Sequence, residues 1–271
     1  MIAWARAALL LAALVLSAEG PRAAKLPSVV AEDSTPPDDG ERERYILRGL
    51  NPPLDPALRG KRVERQGTGF FVSERAIVTN YHVIGGCNLI TAEVGREDAS
   101  PAFVRVSASD PAHDLAVLQG DIVSAAPLSF ERTLNRVDAS DLSVIGFPVY
   151  GLSRQIPSIT SAKARPSEIA GTRPLFQFLG EVHPGHSGSP LLDEFGTVIG
   201  IVSQQVDTVA TYRQSHRVVR NVAFAIPNAV TLEFLEKNRI AHRLADPRES
   251  LSPEMRMQRW GDSVVHIACW H

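Results

Sequence analysis

Three residues of the types that perform nucleophilic acyl transfer occur in the order His82, Asp114 and Ser187. A serine hydroxyl becomes an effective nucleophile when a neighbouring imidazole accepts its proton. A carboxylate on the far ring nitrogen holds that imidazole in one tautomer and stabilises the cation that forms. We therefore predict that His82 is the base, Asp114 the acid that orients it, and Ser187 the nucleophile.

Glycines flank the serine in the segment Pro184-Gly185-His186-Ser187-Gly188-Ser189-Pro190. Acyl transfer also needs N–H donors aimed at the oxyanion that develops on the substrate. A glycine lets the backbone turn so that two amides point to one spot. We predict that the amides of Gly185 and Ser187 form this oxyanion hole.

Asp110 and Ser189 are alternatives for the acid and the nucleophile. Asp110 suits a turn because a proline follows it, whereas Asp114 directly precedes an apolar run. Ser189 is also followed by a proline, and only Ser187 lies between two glycines. We therefore favour Asp114 and Ser187.

His183 and His186 offer, together with His82, three imidazoles of the kind that bind zinc. No carboxylate or thiol completes an evident ligand set around them. We expect no metal and no other cofactor.

Short strands must position these residues. Runs rich in Val, Ile, Phe and Thr follow one another from Val63 to Ile226, and Gly, Pro, Asp and Ser bound them. No long helical period appears among them, so the pattern predicts an all-β barrel or sandwich. A helix is predicted only afterwards, opening at Pro227-Asn228 and closing near Asn238.

The motifs resemble the trypsin-like serine peptidases, most closely their bacterial HtrA/Deg and glutamyl-endopeptidase-like branches. The resemblance is carried by Gly67–Val72, Ile77–Val83, Asp114–Leu118, Gly185–Pro190 and Ala223–Pro227. The order His, Asp, Ser also separates the chain from α/β-hydrolases and subtilisins, whose orders differ.

This resemblance implies an all-β fold of two six-stranded antiparallel β-barrels, with the active site in the cleft between them and a C-terminal helix. The first barrel would carry His82 and Asp114, and the second Ser187. The implied function is an exported serine endopeptidase that acts on proteins or peptides through an acyl-enzyme. The alternative is a catalytically silent fold-mate that serves as a binding or chaperone-like module.

Position 186 departs from the family pattern, because His186 stands where Asp or Asn is usual. In the digestive branch an Asp there pairs with a new amino terminus after zymogen cleavage. A histidine cannot do this, so we expect no activation of that kind. We also expect no PDZ domain, since the residues after Pro227 are too few for a helix and such a domain.

Substrate specificity is less clearly indicated. By resemblance, Ser203, Gln204 and Gln205 should border the bound substrate strand. Glu181 lies six positions before Ser187, where an acidic pocket floor would favour Lys or Arg before the scissile bond. The alternative, which we prefer, is that Glu181 points to solvent.

The chain divides into four predicted parts. Residues 1–18 read as a signal peptide, with the ten apolar residues Ala7–Leu16 behind Arg6. Residues 19–60 read as a flexible linker, 61–240 as a protease domain with its barrel boundary near 125–140, and 241–271 as a tail. A signal peptide predicts export to a bacterial periplasm or the extracellular space. An uncleaved amino-terminal anchor is the alternative, and only then would the protein contact a membrane.

The chain's 28 basic and 30 acidic residues give a net charge of −2. This balance argues against a nucleic-acid partner, because no basic excess is available to displace counterions. Cys87 and Cys269 are the only cysteines. In an oxidising compartment they can form one disulfide, which we favour over two separate thiols. The sequence predicts no oligomeric state.

Overall fold

The computed structural model describes residues 55–96, 99–132, 141–149, 156–165, 175–206, 211–213, 216, 218–246 and 249–271. The predicted signal peptide and the predicted linker up to residue 54 lie outside these ranges. Within the described residues, no helix is long and apolar enough to cross a membrane.

Five strands near the start of the described chain build most of a first closed barrel. They are β1 (Val63–Phe71), β2 (Ala76–Thr79), β3 (Leu89–Val94), β4 (Ala102–Asp110) and β5 (Leu115–Gly120). The one-turn helix α1 (Tyr81–Ile84) follows β2. All the pairings between these strands are antiparallel.

Six further strands form a second closed barrel, in the order β10-β11-β8-β7-β6-β9. They are β6 (Leu142–Gly146), β7 (Ser158–Ala164), β8 (Phe176–Gly180), β9 (Pro190–Leu192), β10 (Val198–Gln205) and β11 (Val222–Pro227). The predicted helix follows as α2 (Asn228–Lys237). Two six-stranded barrels and a helix after them confirm the predicted fold class.

The described residues after 240 belong to the fold, which revises the domain boundary that we expected at residue 240. Helix α3 (Pro253–Trp260) places the buried Arg256 against the second barrel, where its guanidinium donates to the Ser143 hydroxyl at 2.6 Å and the Asp141 carboxylate at 2.7 Å. Strand β12 (Val264–Trp270) then inserts between β1 and β3 as the sixth strand of the first barrel. Helix α3 thus packs on the second barrel and β12 completes the first, so the described residues after 240 are part of the fold rather than a tail.

Three apolar clusters stabilise this arrangement. One fills the first barrel with residues such as Phe71 and Ile77, and another fills the second with residues such as Phe178. The third joins the barrels and contains, among others, Phe70 and Phe147. Burial of this apolar surface is the main favourable term in folding. Because the third cluster contains residues of both barrels, it fixes one barrel against the other.

The end of the expected linker also packs on the fold. Pro56–Leu58 forms a 3₁₀ turn, and the buried Leu58 contacts Ala268 and Trp270 of β12. The described residues 55–60 are therefore part of the domain rather than of a linker.

Candidate active site

His82 and Asp114 come together because β2 and β5 are neighbouring strands. Thr79 at the end of β2 pairs with Ala116 near the start of β5. His82, which follows β2, and Asp114, which precedes β5, therefore lie at the same edge of the barrel. The Nδ1 atom of His82 lies 2.8 Å from Oδ2 of Asp114, and the backbone N–H of His82 donates to Oδ1 at 2.9 Å. Asp114 has a φ of +60°, a conformation that Asp and Asn tolerate better than most residues.

The Asp114 carboxylate is buried and ionised. Burial alone would raise its pKa, but hydrogen bonds from the ring and backbone of His82 and from the Ser203 hydroxyl, 3.0 Å away, hold the pKa below its usual value. The imidazole of His82 is about half exposed, with 48% of its side-chain surface accessible. A buried anion thus holds the Nδ1 edge of a ring that is otherwise about half exposed.

Ser187 reaches the cleft from the second barrel, and the first barrel anchors its backbone. The N–H of Thr68 on β1 donates to the Ser187 carbonyl at 2.8 Å. The Ser187 hydroxyl donates to the carbonyl of Ser203 at 3.3 Å, and no hydrogen bond joins it to His82 among the described residues. Such bonds are often long or absent without substrate and tighten in the complex.

The backbone around Ser187 leaves two amides available. Gly185 has a φ of +98°, and its carbonyl accepts from the Thr68 hydroxyl at 2.7 Å. Gly188 has a φ of +87°, and a Cβ there would lie 2.0 Å from the Thr68 carbonyl oxygen, so only glycine fits. Within the described part of the chain, the N–H groups of Gly185 and Ser187 donate to no protein acceptor. An oxyanion hole requires N–H donors of this kind, which have no protein acceptor and can bind the oxyanion of the substrate.

Comparison with known proteins identifies the family of this two-barrel domain. Residues 67–201 match the model of the trypsin-like peptidase domain. They belong to the trypsin-like peptidase family. The matched segment contains His82, Asp114 and Ser187.

Relatives with known names agree with the family. The chain is 32% identical over 197 residues to a probable periplasmic serine endoprotease, DegP-like, of Halomonas elongata, covering 69% of this chain and 38% of that protein. It is 33% identical over 144 residues to the serine protease Rv3671c of Mycobacterium tuberculosis, covering 51% of this chain and 35% of that protein. The chain thus spans little more than a third of the length of these relatives. The crystal structure of the inactive form of the Rv3671c protease superposes with a TM-score of 0.50 and 26% identity, over 65% of this chain and 86% of that one.

The two alternative residues, Asp110 and Ser189, occupy other surroundings in the trypsin-like domain. Asp110 accepts from the backbone of Ala112 and lies 2.7 Å from Nδ1 of His113, so it stabilises the turn before Asp114. Ser189 is completely buried. Within the described ranges, no group of three or more His, Cys, Asp or Glu side chains is arranged to hold a metal ion.

The residues expected to contact substrate divide into two groups. Ser203 is buried and its hydroxyl serves Asp114, while Gln204 and Gln205 are exposed at the end of β10. Glu181 has 69% of its side-chain surface exposed, and its Oε1 lies 3.4 Å from Nε2 of His183. Glu181 therefore lies at the surface of the domain.

A disulfide joins Cys87, five residues after His82, to Cys269 on β12. Arg65 of β1 lies beside it and donates to the carbonyl of His82 at 2.9 Å and to the carbonyl of Gly85. The disulfide therefore links the segment that follows α1 to β12, and Arg65 links α1 to β1 through the carbonyl of His82.

Sequence reasoning missed Thr68 and Arg65 as supports of the site. Thr68 lies in the motif Gly67–Val72, but nothing in its type shows that it would bind the loop of Ser187. Arg65 carries no signal except its position two residues before that motif. The role of Ser203 towards Asp114 was also missed, although a serine at the end of a buried strand was the available hint.

Proposed function

We propose that this chain is an exported serine endopeptidase that hydrolyses peptide bonds of protein or peptide substrates through an acyl-enzyme on Ser187. The observation that carries the proposal is the pairing of His82 with the buried Asp114, together with the N–H groups of Gly185 and Ser187, which have no acceptor among the described residues. Each of these groups has a distinct part in acyl transfer.

In the proposed mechanism, the Ser187 hydroxyl leaves the Ser203 carbonyl and turns to Nε2 of His82, which accepts its proton as Oγ attacks the scissile carbonyl. Asp114 stabilises the imidazolium through Nδ1–H. The oxyanion accepts hydrogen bonds from the amides of Gly185 and Ser187. His82 then protonates the leaving amine, and a water molecule activated by the same imidazole hydrolyses the ester.

Two observations support export. The DegP-like relative is named as periplasmic. The Cys87–Cys269 disulfide also fits an exported protein, because disulfides persist in oxidising compartments and are rare in the cytosol. The expected signal peptide at residues 1–18 would supply the export signal.

Labelling with a fluorophosphonate tests the proposal, because only an activated serine reacts. We expect the wild-type chain to be labelled and to cleave casein, and Ser187→Ala to lose both. Ser189→Ala is the matched control, since it removes a hydroxyl two residues away and should keep both. A wild-type chain that takes no label and cleaves nothing would instead support the catalytically silent binding or chaperone-like module.

A further inference from the structure

A histidine side chain closes the turn that precedes Ser187. His186 is completely buried, and its Nδ1 accepts the backbone N–H of His183 at 2.9 Å. The backbone N–H of His186 donates in return to the carbonyl of His183 at 3.1 Å. Two hydrogen bonds thus hold residues 183–186, and one of them depends on the His186 ring.

The peptide of Gly185 lies inside this hydrogen-bonded turn. The amides of Gly185 and Ser187 flank His186 in the chain, and both lack an acceptor among the described residues. Their directions are set by the turn, because a peptide plane cannot rotate without moving its neighbours. Whatever fixes residues 183–186 therefore also aims the two amides.

The bond to His183 specifies the chemical form of the ring. Nδ1 can accept only when it carries a lone pair, so the ring must be neutral with its proton on Nε2. Burial, reinforced by the nearby charge of His183, lowers the pKa of His186 to about 4. The ring therefore stays neutral at the pH at which a histidine base works.

Few charged groups lie near the His186 ring. Gly146 of β6 and Thr68 of β1 lie against it, since a Cβ on Gly146 would be 2.8 Å from Cδ2 of His186 and 3.1 Å from the Thr68 hydroxyl. His183 is the nearest titratable group, with its ring centroid 6.2 Å away. Glu181 approaches only the far nitrogen of His183.

We propose that His186 is a positioning residue of the oxyanion hole, which holds the amides of Gly185 and Ser187 in place by accepting the His183 N–H at Nδ1. The role rests on the proposed peptidase function. His186 touches no reacting atom and acts only through the backbone of the turn. The role requires an atom at position 186 that accepts the His183 N–H, and an imidazole is only one side chain that supplies such an atom.

Steady-state kinetics on a peptide substrate at pH 7.5 test the role, with one variant that keeps a hydrogen-bond acceptor at position 186 and one that removes it. His186→Asn keeps an oxygen that can accept the His183 N–H, and it should retain kcat within about threefold. His186→Ala removes the acceptor and should lower kcat by about 100-fold with little change in KM, as expected when oxyanion stabilisation is lost. An alanine variant with wild-type kcat, or an asparagine variant as impaired as alanine, would overturn the role.

A spectroscopic measurement on the wild-type protein reports the state of the His186 ring without relying on catalytic rates. With ¹⁵N-labelled histidine, the nitrogen spectrum should show His186 as the Nε2–H tautomer at pH 7.5, assigned through its disappearance in His186→Asn. The opposite tautomer or a charged ring would refute the proposal. A folded wild-type chain with no activity would refute the peptidase function on which the role rests, whereas equal activity in wild type and His186→Ala would refute the positioning role alone.

Discussion

His82 and Asp114 are joined at two points, because one carboxylate oxygen accepts the backbone N–H of His82 while the other lies 2.8 Å from its Nδ1. The carboxylate thereby fixes both the position of α1 and the orientation of the ring. The remaining ring nitrogen, Nε2, therefore lies on the side of the imidazole away from Asp114. This geometry leads to the first of four predictions.

Asp114→Asn should lower kcat/KM by about ten-thousand-fold, because an amide at this position favours the wrong imidazole tautomer. The fold should persist, since Asn tolerates the positive φ at residue 114. Asp110→Asn is the matched control, and it should retain nearly full activity. If the two variants lose equal activity in a peptide-hydrolysis assay, the choice of Asp114 over Asp110 is wrong.

Ser203→Ala should reduce kcat/KM by about tenfold or more. Its hydroxyl donates to the Asp114 carboxylate at 3.0 Å, and hydrogen bonds to charged groups are worth about 1.5–3 kcal/mol. The Ser203 carbonyl, which accepts from Ser187, is unchanged by the substitution. Ser203→Thr keeps the hydroxyl and should recover most of the activity, so equal losses in both variants would contradict the role.

His266 should make the protein less stable in mild acid. Burial lowers the pKa of His266 to about 4, whereas in the unfolded chain it titrates near 6.5. The unfolded state therefore binds more protons between about pH 6.5 and pH 4, and stability falls as the pH is lowered through this window. Linkage predicts a loss of about 2 kcal/mol from this residue between pH 7 and pH 5.

Urea unfolding at these two pH values measures the effect. His266→Gln cannot titrate, so its stability should change by about 2 kcal/mol less than that of the wild type. His271→Gln alters an exposed histidine on the same end of the chain and serves as the control. The same pH dependence in His266→Gln and wild type would show that His266 is not the source.

The Cys87–Cys269 disulfide should stabilise the domain through the large loop that it closes. The two cysteines are 182 positions apart, and the chain-entropy model gives roughly 5 kcal/mol for such a loop. A Cys87→Ser, Cys269→Ser double variant should lose much of this stability in urea unfolding. Alkylation of the unfolded wild type should modify no cysteine without reductant and two with it, and two modified cysteines without reductant would contradict the bridge.

The sequence predicted the fold well where the signal was local. Strand alternation and turn residues around His82, Asp114 and Ser187 indicated the right elements, and the predicted helix after Pro227 is present as α2. The partnership of β12 with β1 was harder to predict, because Thr68 and His266 become neighbours across almost 200 residues of chain. The predicted bridge from Cys269 to Cys87 places this segment beside the first barrel, but nothing near Val264–Trp270 indicates between which two strands it inserts.

Supports of the site that depend on strand irregularities also escaped prediction. The register of β10 against β11 shifts between Val202 and Gln204, and Ser203 lies at that shift. A regular strand would have alternated its side chains without interruption. Ser203 points its hydroxyl at Asp114 from this irregular position, and regular strand alternation does not predict that orientation.

The insertion of β12 between β1 and β3 has a consequence for biosynthesis. A ribosome completes His82, Asp114 and Ser187 well before it adds residues 264–270, so a growing polypeptide holds a first barrel with an open seam. Arg62 and His271 exchange two backbone hydrogen bonds of 3.0 Å at the far end of that seam. The wall that carries His82 therefore closes only after β12 has been synthesised, which delays a fully assembled first barrel until that strand is available.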